Sequence, residues 1–126
     1  MRLTVMALAV VLTTGVANAQ QPEVLRGFGL STCGEFAHAT ELEGDYFAWA
    51  QGFMSGWNWG NVLSQGLSQS RQNQSGLITY RDMTAWSVAE QKAYIRKYCN
   101  DHPLEDYLDA VLGLLQSLPE VAERPR

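Results

Sequence analysis

Between Tyr46 and Ser70 the chain carries no charged residue. The same stretch holds Tyr46, Phe47, Trp49, Phe53, Trp57 and Trp59, with Gly52, Gly56 and Gly60 recurring at intervals of four. An uncharged run of this length first raises the question of a membrane span, which takes about 20 mostly apolar residues. Gln51, Ser55, Asn58, Asn61, Ser64 and Gln65 interrupt it too often for a lipid-facing helix. The segment is instead expected to be a helix of a folded domain, buried on more than one side.

On a helical wheel Tyr46, Ala50, Phe53 and Trp57 share one stripe, with Trp49 beside it. This predicts a core-facing surface. Gly52, Gly56 and Gly60 form a ridge on one flank, Phe47 and Met54 lie on the other, and Gln51, Ser55 and Asn58 make the polar face. Trp59 falls off the stripe, near Gly52. A Trp beside a glycine ridge suggests a partner or self-association surface, because Trp is a frequent interface anchor and glycines let helices approach closely.

The N-terminus reads as an export signal. Arg2 gives a short positive region, Leu3 to Val16 is apolar, and Ala17-Asn18-Ala19 fits a small-x-small cleavage pattern. Residues 1–19 are therefore expected to be removed, leaving one helical domain over 20–126 with its core at about 31–118. Of 9 basic residues the processed chain keeps 8, against 13 acidic ones, a net charge of −5. That balance gives no footprint for nucleic acid and disfavours anionic lipid surfaces. The localisation expected is periplasmic, with no membrane association after cleavage. In an exported chain the two cysteines, Cys33 and Cys99, read as a disulfide.

Local signals predict about four helices. Thr32-Cys33-Gly34-Glu35 has the form of a capping box and should open a short helix to about Thr40. Gly44 should break the chain, with Asp45 capping the uncharged helix. Ser64 to Ser75, rich in Ser and Gln and containing Gly66, reads as a loop. Leu77 to Tyr80 is a short extended piece with no evident partner. Ser87-Val88-Ala89-Glu90 repeats the capping box and should begin a helix ending near Cys99. Pro103 is expected at the first position of a last helix whose Leu104, Tyr107, Leu108, Val111, Leu112 and Leu115 follow helical periodicity. Leu118-Pro119 ends it, and the tail to Arg126 reads as loose. The fold class expected is an all-α bundle stapled by one disulfide.

Catalytic chemistry has little footing. The segment Gly52-Phe53-Met54-Ser55-Gly56 lacks the spacing of a nucleophile elbow. Glu35, His38 and Glu41 lie three apart, which reads as an exposed polar face rather than a metal site. His102 beside Pro103 reads as a capping residue, and Asn73-Gln74-Ser75 fits a glycosylation sequon. The expectation is a protein that is not an enzyme and has no cofactor, metal or catalytic residue. Acid should act on it strongly. Below about pH 3 the carboxylates lose their charge while 8 Lys and Arg and both His stay positive, moving the net charge from −5 to about +10. Self-repulsion would then loosen a small domain and expose its aromatic residues.

Three segments, in order, resemble a known family. Thr32-Cys33-Gly34-Glu35-Phe36 resembles the C-x-x-F opening of the HdeA/HdeB-like periplasmic proteins. Trp49-Ala50-Gln51-Gly52-Phe53 resembles their W-x-x-G-Y helix, and Tyr98-Cys99-Asn100-Asp101-His102-Pro103 their Y-C-x-x-x-P element. The likeness covers about Ser31 to Leu115. It implies a small helical domain with a Cys33–Cys99 disulfide that works as an acid-stress chaperone. In that role it is a homodimer that dissociates in acid and holds unfolded periplasmic clients on an aromatic surface. Carried over, the helix around Trp49 to Trp57, with Phe53, becomes part of that dimer or client surface; the wheel adds Trp59 and the ridge of Gly52, Gly56 and Gly60 to the expected partner surface. A narrower resemblance, over Gln91 to Glu120, is to periplasmic immunity proteins that neutralise secreted cell-wall amidases.

Overall fold

The computed structural model describes residues 26–72 and 76–123. The expected signal segment and the sequon at Asn73 lie outside them. Both capping boxes form. Thr32 Oγ1 accepts from the Glu35 amide (3.1 Å), while a Glu35 carboxylate oxygen accepts from the Thr32 amide (2.7 Å), opening helix α1 (Cys33–His38). Ser87 and Glu90 make the same reciprocal pair at the start of α3 (Val88–Asp101). Each box satisfies two helix N–H or pre-helix donors that would otherwise lack partners.

Between them runs α2, Glu43–Arg71, 29 residues and so about 43 Å long. Two expectations are corrected here. Gly44 does not break the chain and Asp45 is not the cap: a 3-10 turn at Thr40–Leu42 feeds directly into the helix, which begins at Glu43. Ser64 to Arg71 is helix, not loop. Gly66 inside it costs about 1 kcal/mol relative to Ala, which side-chain bonds from this stretch to a neighbouring strand offset.

That strand is β1 (Ile78–Arg81), the extended piece without an evident partner. Its partner is the C-terminal segment read as a loose tail. Residues Glu120–Glu123 form β2, antiparallel to β1 with Tyr80 opposite Val121 and Arg81 opposite Glu120. The fold is thus mostly helical with a two-stranded sheet, rather than all-α.

The last helix, α4 (Tyr107–Ser117), starts four residues after Pro103. Residues 103–106 cannot be its first turn because their carbonyls serve α1. Cys33 N–H donates to Glu105 O and Gly34 N–H to Pro103 O, both at 2.8 Å, and Thr32 bridges Asp106. Leu104 is consequently 91% exposed instead of in the core.

The core joins α1, the first half of α2, α3 and α4. A cluster of Phe28, Phe36, Tyr46 and Tyr107 has ring centroids 4.2 to 5.2 Å apart. Ala50, Met54, Ile95, Val111, Leu114 and Leu118 extend it. The Cys33–Cys99 disulfide links α1 to α3 within this core, across a sequence separation of 66. A cross-link of that span stabilises by about 4 kcal/mol on chain-entropy grounds.

Candidate interaction surface on the second helix

The orientation of α2 decides what the chain presents to its surroundings. The stripe it buries is Tyr46, Phe47, Ala50 and Met54. This corrects the expected stripe of Tyr46, Ala50, Phe53 and Trp57. Phe47 and Met54 point inward, Phe53 is half-buried, and Trp57 is 49% exposed. The core ends near Met54, so Trp57, one turn further along, overhangs it.

The polar face has a structural task that its residue types did not announce. Gln51, Asn58, Gln65 and Gln69 fall within about 40° of one another at 100° per residue. Each grips the segment 76–91. Asn58 Nδ2 donates to Arg81 O (2.8 Å) and its Oδ1 accepts from Arg81 N–H (2.9 Å). Gln65 clamps Thr79 in the same two-bond manner, both bonds 2.9 Å. Gln69 reaches Leu77 O and the Gly76 amide. Gln51 donates to Gln91 Oε1 (2.7 Å), and the buried Gln91 amide donates to Met83 O and Trp86 O. Alternate residues of a strand aim their backbone groups at one edge, so Thr79 and Arg81 serve α2 while β2 takes the other edge. A row of neutral amides spaced seven and four apart is the available signal; it is broken in the sequence reading because Gln65 and Gln69 fall in the segment expected to be a loop.

Among the described residues nothing covers the opposite face of α2. Trp59 is 63% exposed, Leu63 47% and Leu67 57%, and they lie on one side of the helix with Gly52, Gly56 and Gly60. A Cβ built on any of these three glycines meets nothing within 4 Å. The contrast within the molecule is Gly113 of α4, where a Cβ would come within 2.9 Å of the Tyr94 hydroxyl and the tyrosine would have to shift. Gly52, Phe53, Gly56, Trp57 and Gly60 line an open groove of about 460 Å³ along this face.

An aromatic ladder borders the groove. Trp49 stacks on Phe53 (centroids 5.5 Å, planes 14° apart), and Phe53 leans on Trp57 at 6.2 Å. Trp49 is itself fixed, its Nε1–H donating to Arg26 O at 3.0 Å. Gly27, at φ +85°, sits against the Trp49 indole where a Cβ would lie 3.0 Å from Nε1. Of the residues assigned to a partner surface, Trp59, Gly52, Gly56 and Gly60 therefore face outward together. Trp57 and Phe53 form the wall, and Trp49 anchors the end of the ladder.

A second cluster of titratable groups sits at the α3–α4 corner. The Glu105 carboxylate accepts from the Tyr98 hydroxyl and lies 3.2 Å from His102 Nδ1. The hydrogen bond to Glu105 pushes the Tyr98 phenol up to about 12. His102 is the C-cap of α3, its N–H donating to Tyr98 O. The group holds the corner beside the disulfide and contains no activated nucleophile. Glu35 is committed to its capping box. Among the described residues no group of three or more His, Cys, Asp or Glu is placed to hold a metal, and no helix is long and apolar enough to cross a membrane.

No protein-family model matches this chain, and neither a curated protein nor a solved structure is similar to it at a significant level.

Proposed function

We propose that this chain is a non-enzymatic, exported binding protein whose glycine–aromatic face of α2 receives protein, and that it acts as an acid-stress holdase for unfolded clients. One observation carries the reading. Three helix-interior glycines cost about 1 kcal/mol each relative to Ala. Among the described residues nothing lies within 4 Å of where their Cβ atoms would be. About 3 kcal/mol is a large share of the 5 to 15 kcal/mol that holds an ordinary domain together. Such a cost finds its reason in close approach by another molecule. Trp59, Leu63 and Leu67 supply the apolar contact beside that approach path.

Acid sensitivity follows from how the elements are tied. Hydrogen bonds from Ser87 hold the Glu90 carboxyl below its ordinary value, and bonds from Thr84 do the same for Asp82. A carboxyl depressed in the folded state adds stability above its unfolded pKa near 4, and that stability disappears as pH falls through the folded value. The disulfide limits the resulting expansion, leaving a loosened, cationic chain with its aromatics accessible.

The test is aggregation of an acid-unfolded periplasmic client at pH 2–3, followed by light scattering with the chain from Gln20 added. Suppression is expected, and weaker suppression by Trp59→Ala. No suppression at any ratio of chain to client sinks the proposal.

A further inference from the structure

Trp57 has a second side. Away from the glycine groove its indole forms one wall of a cleft of about 310 Å³ between α2, β1 and the end of α4. We infer that this cleft binds a neutral saccharide unit, with Trp57 as stacking platform and Asn61, Gln116 and Arg81 as hydroxyl partners.

The cleft exists because α2 overhangs the core. Trp57 and Asn61 continue the inward-facing direction of Ala50 and Met54 beyond the point where α4 fills the space. Leu115 of α4 closes the floor. The polar groups around it are of two kinds. Arg81 is positioned, its backbone clamped by Asn58 and its Nη1–H donating to Leu118 O at 3.2 Å. Its Nη2 lies 3.9 Å from Glu120, an ion pair too long to be a hydrogen bond. The guanidinium, with five N–H groups, therefore keeps donors to spare. The side-chain amides of Asn61 and Gln116 line the same cleft and bond to no other described residue.

These features select one ligand class. Arg81 and Glu120 cancel in charge, so an anion finds no net attraction and a phosphate is repelled by the carboxylate. A purely apolar ligand would leave two amides and a guanidinium unpaired, which is costly once water is excluded. A sugar ring offers an apolar C–H face to an indole and a rim of hydroxyls that both donate and accept, as planar amides and guanidinium require. The volume is at the lower end of ligand sites, about 300 to 1,000 Å³, which suits a single ring.

The cleft shares Trp57 and Asn61 with the border of the glycine groove, but Trp59 and the glycines do not line it, so Trp59→Ala separates this inference from the holdase reading. The experiment titrates the chain from Gln20, at neutral pH, with glucose, N-acetylglucosamine and their β-1,4-linked disaccharides. Tryptophan emission and the NMR signals of the Asn61 and Gln116 side-chain amides are followed. Saturable binding near about 1 mM is expected, with both amides shifting. Trp57→Ala and Asn61→Ala should each weaken it about tenfold, while Trp59→Ala leaves it unchanged. Asn61 is on a helix surface and its side chain bonds to no other described residue, so its loss does not threaten the fold. The inference is overturned if none of the four sugars gives saturable binding, or if both cleft variants bind as tightly as the parent chain.

Discussion

One helix in this protein has two uncharged faces, and they have opposite fates. Gln51, Asn58, Gln65 and Gln69 are polar and fully engaged, clamped to backbone and amide groups of residues 76–91. Gly52, Gly56, Trp59, Gly60, Leu63 and Leu67 are apolar or small; among the described residues nothing lies near the Cβ positions of the three glycines, and the other three side chains stay largely exposed. The usual expectation, apolar inward and polar outward, is reversed over the second half of α2. The difference teaches that lack of charge has two separate meanings here. On the amide face charge is absent because neutral groups pair better with backbone N–H and C=O. On the open face the absence of charge fits the partner contact proposed above, which would desolvate a charged group.

The comparison can be broken at several depths. The largest effect comes from the platform beneath both faces: replacing Cys33 and Cys99 by Ala should cost about 4 kcal/mol in urea unfolding at neutral pH. A loss under 1 kcal/mol would show that the core alone carries the fold.

Next comes the amide face. Asn58→Ala removes two hydrogen bonds and leaves the Arg81 backbone unpaired, a loss of about 2 kcal/mol. Hydrogen exchange should rise selectively from Trp57 to Arg71, since this half of α2 rests on the clamps rather than on the core. Uniform change across all helices would contradict the division between the two halves.

The open face predicts the reverse sign. Gly56→Ala should stabilise the isolated chain by about 1 kcal/mol, because the new methyl enters empty space and the unfolded chain loses freedom. The same variant should hold client less well. Stabilisation with undiminished client binding would remove the glycines from the partner surface.

The smallest effect concerns protons. At neutral pH Glu90→Gln should lower stability slightly, because it removes the contribution of the depressed carboxyl at an exposed position. On acidification the parent chain loses the contribution of the depressed Glu90 carboxyl and the variant does not, so the two unfolding curves should converge below about pH 4. Parallel curves down to low pH would show that Glu90 is not part of the acid response.

Much of the helical frame was legible because its signals are local. Thr32 with Glu35 and Ser87 with Glu90 start helices through bonds three residues apart, and both starts are where the sequence put them. The cysteine pairing was legible from parity together with the expected export. The outward position of Trp59 was legible from its place off the wheel stripe. Trp57 was misjudged, since a wheel gives direction but not where the core ends.

What the sequence alone determined is therefore an uncharged aromatic helix, its neighbours' N-caps and the covalent staple. Tertiary structure decided how far that helix runs, which stripe it buries and which face stays open. Those outcomes rest on bonds between distant residues: Asn58 with Arg81, 23 positions on, Gln65 with Thr79, 14 positions on, and β1 with a strand at the far end of the chain. A glutamine in sequence has no preference between water and a strand edge. Only the arrival of β1 at its side makes Ser64 to Arg71 helix, and leaves the glycines facing outward.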